Sequence, residues 1–249
     1  MDVLAFWVWP FSAALVTTVC TVLLARQYRE RRKAHQLAWA IGFGMWAASA
    51  YMEFIAIILR HWPDLLYRFY IVTTAALVPV LGYGTIRLMA KRPIWGQLYI
   101  LVNVALVAVF AFGVFTHPML ASELAKANVA SYAALGAKKT FPRMLSAFIS
   151  IPGALVLWYG AFHSIFLFLR KKEYAYRVWA NVLIATATFI IAAAGGLAAT
   201  GKPQLFYVAE LVAAGLYLWG FLLASSLKKG AEAAKANRRR EETGTAQPL

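Results

Sequence analysis

Residues 205–229 read LFYVAELVAAGLYLWGFLLASSLKK, an apolar stretch that carries a single acid, Glu210, close to its start. A hydrocarbon core about 30 Å thick is crossed by about 20 apolar residues in a helix. A charged side chain near the centre of such a helix costs about 2.5–3.5 kcal/mol on insertion scales, so it is rarely idle. The stretch therefore predicts a transmembrane helix that buries one carboxyl group.

The rest of the chain is also predominantly apolar. Of 249 residues, 62% are hydrophobic and 14% are charged, which excludes an ordinary water-soluble fold. Apolar runs of membrane-spanning length lie at about 3–24, 36–59, 65–86, 94–115, 144–169, 178–199 and 204–227. We therefore predict an all-α fold, a polytopic bundle of seven transmembrane helices in one domain, 1–229.

The connections and the tail add two predictions. The loop 117–143 is the longest connection and reads as an ordinary connector, with enough helix propensity to form a short cap instead. Residues 230–249 are charged and small, which predicts a disordered basic cytoplasmic tail.

Basic residues predict the orientation. Three connections and the tail hold 18 of the 25 lysines and arginines, and all four segments face one side of a seven-helix bundle. Basic loops stay in the cytoplasm, so the N-terminus is expected outside and the C-terminus inside a cell membrane, here a bacterial inner membrane. The net charge of +15 is thus a topology signal, and no nucleic-acid partner is predicted. Trp7, Trp9 and Trp62 are expected at the outer membrane interface.

Two segments suggest an internal repeat. The text AFWVWPFSAALV at 5–16 aligns with AFISIPGALVLW at 147–158, which places Pro10 opposite Pro152 and, one helix later, Trp39 opposite Trp179. This predicts a parallel 3+1+3 pseudo-repeat with halves 3–88 and 144–227 and a linking helix at 94–115. Chance similarity between apolar segments is the alternative.

The stretch Leu205-Phe206-x-Val208-x-Glu210-x-x-Ala213-Ala214, together with YRFYIVTT at 67–74, resembles the last and third helices of microbial rhodopsins. The resemblance implies a seven-helix fold. Ala214 stands where that family has its retinal-binding lysine, and Lys202 lies only at the outer boundary, so covalent retinal is excluded. The layout is also similar to the SWEET and PQ-loop families, although glutamine follows neither Pro10 nor Pro152. Both likenesses concern topology, which does not imply function.

Glu53 and Glu210 are the two acids inside predicted spans, each about six residues from an outer helix end. Helical spacing puts Tyr207, Glu210, Ala214 and Tyr217 on one face, and Trp46, Ala50 and Glu53 on another. We expect Glu210 to point into the bundle, within reach of Arg68 or Glu53. The predicted site is an outward-facing cluster that binds a ligand or proton, consisting of Glu53, Glu210, Arg68, Tyr51, Tyr70, Thr73 and Tyr207.

Two other interpretations of this cluster stay open. Arg68 could neutralise one glutamate while tyrosines hydrogen-bond the other, so that the cluster only holds the bundle together. An aromatic-lined site for a pigment or lipid is the third reading.

Catalytic motifs are missing from the sequence, so no enzyme is predicted. No metal or cofactor is predicted either, since a haem would require His163 and His35 to turn toward one cavity. Three functions remain: a carrier or proton-coupled permease, a rhodopsin-like receptor without covalent retinal that signals to a cytoplasmic or membrane protein, and a structural or cofactor-holding subunit. We predict small-molecule or ion binding with transport.

Overall fold

The computed structural model describes residues 6–90, 92–127, 132–137, 139–171, 175–198 and 205–223, which form helices and the turns that join them. No β-strand occurs among these residues. The predicted disordered tail at 230–249 and the boundary residue Lys202 lie outside the described residues.

Seven long helices account for most of the described chain. Four precede the long connection: α1 Val8–Arg31, α2 Ala34–Leu59, α3 Asp64–Met89 and α4 Pro93–Thr116. The connection contains a one-turn helix α5, Ala121–Leu124, and a 3₁₀ turn, Tyr132–Leu135. Three helices follow: α6 Phe141–Lys171, α7 Ala175–Ala198 and α8 Leu205–Leu223.

Length and hydropathy make six of the described helices able to cross a membrane: α1, α2, α3, α4, α6 and α8. The apolar part of α7, Val178–Ala194, is shorter. The all-helical prediction is confirmed, and the helices are compatible with an integral membrane protein. The count of seven spans and the orientation stay predictions.

The first helix begins and ends later than predicted. It continues through a polar segment to Arg31, because exposed arginines and glutamate are good helix formers even where the apolar run has stopped. Arg32 then adopts a left-handed conformation with φ of 52°, and its N–H bonds the carbonyl of Tyr28 at 2.7 Å. This closes the helix and lets α2 start at Ala34, antiparallel to α1.

The two ends of the bundle differ in chemistry. One end carries the α1–α2 turn with Arg29, Arg31 and Lys33, and Arg87 lies in the last turn of α3; we call it the basic end. The other end carries the α2–α3 turn and residues 117–140, the connection between α4 and α6. We call that connection the lid, and this end the lid end.

Small residues let the helices approach closely. Ala13 and Ala14 of α1 and Ala50 of α2 are fully buried, and Leu211 of α8 packs against them. At the crossing of α3 and α6, a Cβ on Gly153 would come within 3.1 Å of the backbone nitrogen of Pro79. Close packing of small residues is the usual basis of helix association in membranes. It positions α2, α3, α6, α7 and α8 around a central cavity.

The residue pairs of the predicted repeat have different surroundings. Pro10 is buried whereas Pro152 is exposed. Trp39 is half-buried and donates to the carbonyl of Leu81, whereas Trp179 is 62% exposed. The aligned positions therefore serve different packing roles, and the 3+1+3 repeat stays a prediction.

The lid packs onto the bundle. Its residues Ala134 and Leu135 are fully buried, and Leu124 accepts a 2.8 Å backbone hydrogen bond from Trp62. Trp62 is only 2% exposed and contacts the ring of Tyr70 at 4.8 Å between centroids. The predicted interfacial position of Trp62 is wrong, because the lid covers it. The 117–143 loop is thus a cap on the core and not a free connector.

Candidate functional site

Two glutamates meet inside the bundle, and we call them the carboxyl pair. Glu53 of α2 is 1% exposed and Glu210 of α8 is 2% exposed, and their carboxyl groups lie within hydrogen-bonding reach of each other. Glu210 lies beside Glu53 as predicted. The alanine contacts between α1, α2 and α8 bring the two backbones close enough for these side chains to meet.

Neighbouring aromatic side chains supply part of the hydrogen bonding. The indole N–H of Trp46 donates to Oε1 of Glu210 at 2.6 Å, and the phenol of Tyr70 donates to Glu53. Trp46 lies seven residues before Glu53, which is two helical turns along the same face of α2. Trp46 was predicted to share that face with Glu53, but its bond across the bundle to α8 was not predicted.

The hydrogen bonding of the carboxyl pair is incomplete. Within the described part of the chain, Oε2 of Glu53, Oε2 of Glu210 and the hydroxyl of Tyr207 have no partner. Neither glutamate takes part in a salt bridge among those residues. A hydrogen bond between two carboxyl groups requires a proton on one of them, since two carboxylates have only acceptors. The pair is therefore able to share one proton, while the unpartnered oxygens stay available as acceptors.

The carboxyl pair faces a cavity of about 410 Å³, which we call the lid-end cavity. Drug-sized ligands occupy pockets of roughly 300–1,000 Å³. Most of the wall is aliphatic or aromatic, from α2, α3, α6, α7 and α8. The polar and aromatic lining residues are Trp46, Ser49, Glu53, Tyr70, Thr74, Tyr132, Arg143, Ser150, Thr188, Phe206, Glu210 and Tyr217.

Several predicted site residues lie outside this wall. Tyr51 packs with the Ala13 and Ala14 cluster instead. Thr73 is half-buried and absent from the lining, which its neighbour Thr74 joins, because successive helical residues point about 100° apart. Tyr207 is fully buried beside Ile57, near the carboxyl pair but behind the cavity surface.

Arg68 does not pair with either glutamate. Its guanidinium bonds Asp64, one turn earlier on α3, at 2.7 Å. It also donates to the carbonyls of Val114 and His117 at the C-terminal end of α4. Carbonyls at a helix C-terminus lack intrahelical partners and attract cations, so Arg68 satisfies them and fastens α4 to α3.

The lid contributes a polar residue that the sequence did not single out. The phenol of Tyr132 hydrogen-bonds Thr74 of α3 and Ser150 of α6 at the lid end of the cavity. Burial raises the pKa of Tyr132 above its usual value of 10.0, and these two hydrogen bonds offset part of that rise. No periodicity in the 117–143 text could have indicated which of its residues reaches inside.

Arg143 is the second residue that sequence reasoning missed. It lies in the first turn of α6, is half-buried, and lines the cavity. Its Nη1 donates to the carbonyl of Gly136 at 2.6 Å. Gly136 has φ of 87°, a conformation that favours glycine, so the lid bends sharply at this point. The only available signal was a basic residue at the predicted outer end of a span.

A second, smaller pocket of about 70 Å³ lies toward the basic end, and we call it the basic-end pocket. Both spaces touch the same four residues, Leu81, Leu157, Thr188 and Tyr217. Thr188 of α7 and Tyr217 of α8 hydrogen-bond each other at 2.6 Å. These four residues form a partition between the two spaces.

The two histidines considered for a haem, His35 and His163, line neither of the two spaces. His35 stacks edge-on against Trp39 at 5.3 Å, and the exposed His163 lies against Tyr159 at 5.9 Å. Among the residues that the structure describes, no group of three or more potential metal ligands occurs.

Comparisons with protein-family models, curated proteins and solved structures found no match to this chain. The likeness to rhodopsins and to SWEET proteins therefore stays a prediction from short segments.

Proposed function

We propose that the chain is an integral membrane protein that binds a small cationic molecule at Glu53 and Glu210 and carries it across the membrane in exchange for a proton. One observation carries the proposal: two buried carboxyl groups face a cavity with spare acceptors and no cationic partner among the described residues. A buried unpaired charge costs several kcal/mol, so a site built this way favours a positive ligand or a proton.

The hydrogen bonding of the pair supports proton coupling. Without a ligand, the carboxyl pair holds one proton between its oxygens. A bound ammonium would replace that proton with its own positive charge, and the proton would leave to solvent. When the ligand departs, a proton returns to the pair. Cation and proton thereby compete for one site, which is what an exchanger requires.

The two stacked spaces support a transport path. The basic loops favour a cytoplasmic basic end, so the lid-end cavity would face outward. The partition then separates an outer site from an inner one. Because Thr188 and Tyr217 belong to different helices, a shift of α7 against α8 would break their hydrogen bond and join the two spaces.

Uptake into liposomes tests the proposal. Guanidinium is a suitable probe because it stays charged in the assay buffer, carries N–H donors for the spare acceptors, and does not cross the bilayer as a neutral base. Liposomes holding the protein and an acidic interior should accumulate radiolabelled guanidinium several-fold above protein-free liposomes, and removal of the pH gradient should abolish the excess.

Glu210→Gln keeps the shape of the side chain and removes its charge, so it should fold and lose uptake. Glu123→Gln is the matched control, since Glu123 is a lid glutamate paired with Lys126 outside the cavity. Binding without uptake would favour a receptor. Failure of the cation to bind would overturn the proposal, and loss of folding in Glu210→Gln would favour a structural pair.

A further inference from the structure

The lid-end cavity holds charge of both signs. Arg143 lines it together with the carboxyl pair. The bond to Gly136 occupies one N–H of the guanidinium, which has five. Arg143 forms no salt bridge with a described carboxylate. The cavity is therefore lined by a guanidinium that has no carboxylate partner among the described residues, as well as by two acids with spare acceptors.

The opposite charges belong to different walls. Glu53 and Glu210 come from α2 and α8, whereas Arg143 comes from the first turn of α6. Arg143 precedes Ser150 by seven residues, or about 10 Å along the helix axis. Ser150 hydrogen-bonds Tyr132 and also lines the cavity. The guanidinium, which bonds Gly136 of the lid, thus lies on the lid side of Ser150 in the same cavity as the carboxyl pair.

Much of the remaining wall is apolar. It is formed on α3 and α6 by Ile71, Leu77, Val78, Ile151, Ala154 and Leu157. Such a surface excludes water and favours an apolar ligand body. A simple cation would satisfy the carboxyl pair and leave the guanidinium without a partner. A simple anion would do the reverse.

We propose that the ligand of this cavity is a zwitterion of the amino-acid class with an apolar side chain. Its ammonium group binds Glu53 and Glu210, its carboxylate binds Arg143, and its side chain packs on the apolar wall. Guanidinium and carboxylate form paired, charge-assisted hydrogen bonds, which supplies the second anchor. This inference rests on the proposed cation site and adds the acidic half of the ligand.

Isothermal titration calorimetry on the full chain in detergent tests the inference with three matched probes. Phenethylamine carries only the ammonium group, 3-phenylpropionate only the carboxylate, and phenylalanine both. We expect phenylalanine to bind roughly tenfold or more tightly than phenethylamine, because its carboxylate adds charge-assisted hydrogen bonds to Arg143. The expected order is phenylalanine, then phenethylamine, then 3-phenylpropionate.

Arg143→Gln should remove the advantage of phenylalanine over phenethylamine and should not weaken phenethylamine binding, because the guanidinium offers an ammonium group no attraction. Glu210→Gln should weaken both. Lys126→Gln is the control, since it deletes a basic residue of the lid that lies outside the cavity and should change neither. If Arg143→Gln fails to fold, Arg143→Lys keeps the charge and should retain part of the preference.

Two results would overturn the zwitterion while sparing the cation site: phenylalanine binding no tighter than phenethylamine, or Arg143→Gln weakening both probes equally. Tightest binding of 3-phenylpropionate would overturn both proposals, because the anion would then be the recognised group. Failure of all three probes to bind would likewise reject both.

Discussion

The lid-end cavity and the basic-end pocket use similar side chains to opposite effect. In the basic-end pocket, Thr188 bonds the carbonyl of Ile184 at 2.8 Å and Tyr217 at 2.6 Å. Trp39 and Thr85 both donate to the carbonyl of Leu81, at 3.2 and 3.3 Å. In the lid-end cavity, one oxygen of each glutamate has no donor in the described structure.

This difference distinguishes polar groups whose hydrogen bonds are satisfied by neighbouring helices from polar groups that keep a free acceptor. A hydroxyl or indole that bonds a backbone carbonyl or a neighbouring hydroxyl costs little and fixes helix packing. A buried carboxyl oxygen without a donor is costly, and the described residues supply no donor for Oε2 of either glutamate. The burial of their polar side chains does not distinguish the lid-end cavity from the basic-end pocket. The unpartnered oxygens of the carboxyl pair distinguish the lid-end cavity and support the site proposed there.

The largest expected effect comes from replacing a tryptophan with phenylalanine, which deletes the indole N–H donor. Trp46→Phe leaves Oε1 of Glu210 without its donor and should lower the free energy of unfolding by about 1.5–3 kcal/mol, the range for hydrogen bonds to charged groups. Trp39→Phe removes a neutral bond to Leu81 and should cost about 0.5–1.5 kcal/mol. Reversible unfolding in mixed micelles, followed by circular dichroism, measures both. Equal losses would contradict the contrast between the two regions.

Glu53→Gln should act in the opposite direction. The amide is neutral and donates to Glu210 without needing a shared proton, so in alkaline buffer, where the carboxyl pair loses its proton, we expect a gain of about 1–3 kcal/mol over the parent protein. Thr188→Val, the matched change in the basic-end pocket, should instead lose about 1 kcal/mol because it deletes a satisfied hydrogen bond. The same unfolding assay applies. A loss of stability in Glu53→Gln would mean that the carboxyl pair holds the bundle together.

The smallest effect concerns the lid. Tyr132→Phe removes the phenol's bonds to Thr74 and Ser150 and should cost about 1 kcal/mol near pH 8. Because burial raises the folded pKa of Tyr132 above 10.0, the contribution of the neutral phenol is complete below that ordinary value. It is lost as the pH rises through the folded pKa.

Thermal unfolding of the two proteins should therefore differ at pH 8 and converge in strongly alkaline buffer. Tyr159→Phe is the control for other tyrosines, since Tyr159 is 65% exposed. A difference that grows with pH would show that the phenol is not the group that titrates.

The long helices of this fold, and the faces on which their key side chains lie, were predictable from the sequence. Apolar runs of about 20 residues located the long helices, because crossing a membrane requires that length. The spacing of Tyr207, Glu210 and Tyr217 placed them on one face, and all three are buried. The scarcity of acids inside the spans drew attention to Glu53 and Glu210, since a buried carboxyl is too costly to be accidental.

Which groups each side chain contacts was decided only by the tertiary structure. Arg68 was expected beside a glutamate and instead bonds carbonyls of α4, 46 residues or more along the chain. Tyr132 reaches the cavity from a connection that has no periodic pattern, and Arg143 reaches it from the first turn of α6. Helical period sets the direction of a side chain relative to its own axis, and that is local information. Which side chain it meets depends on helix spacing and rotation, and these follow from the packing of small residues in the assembled bundle.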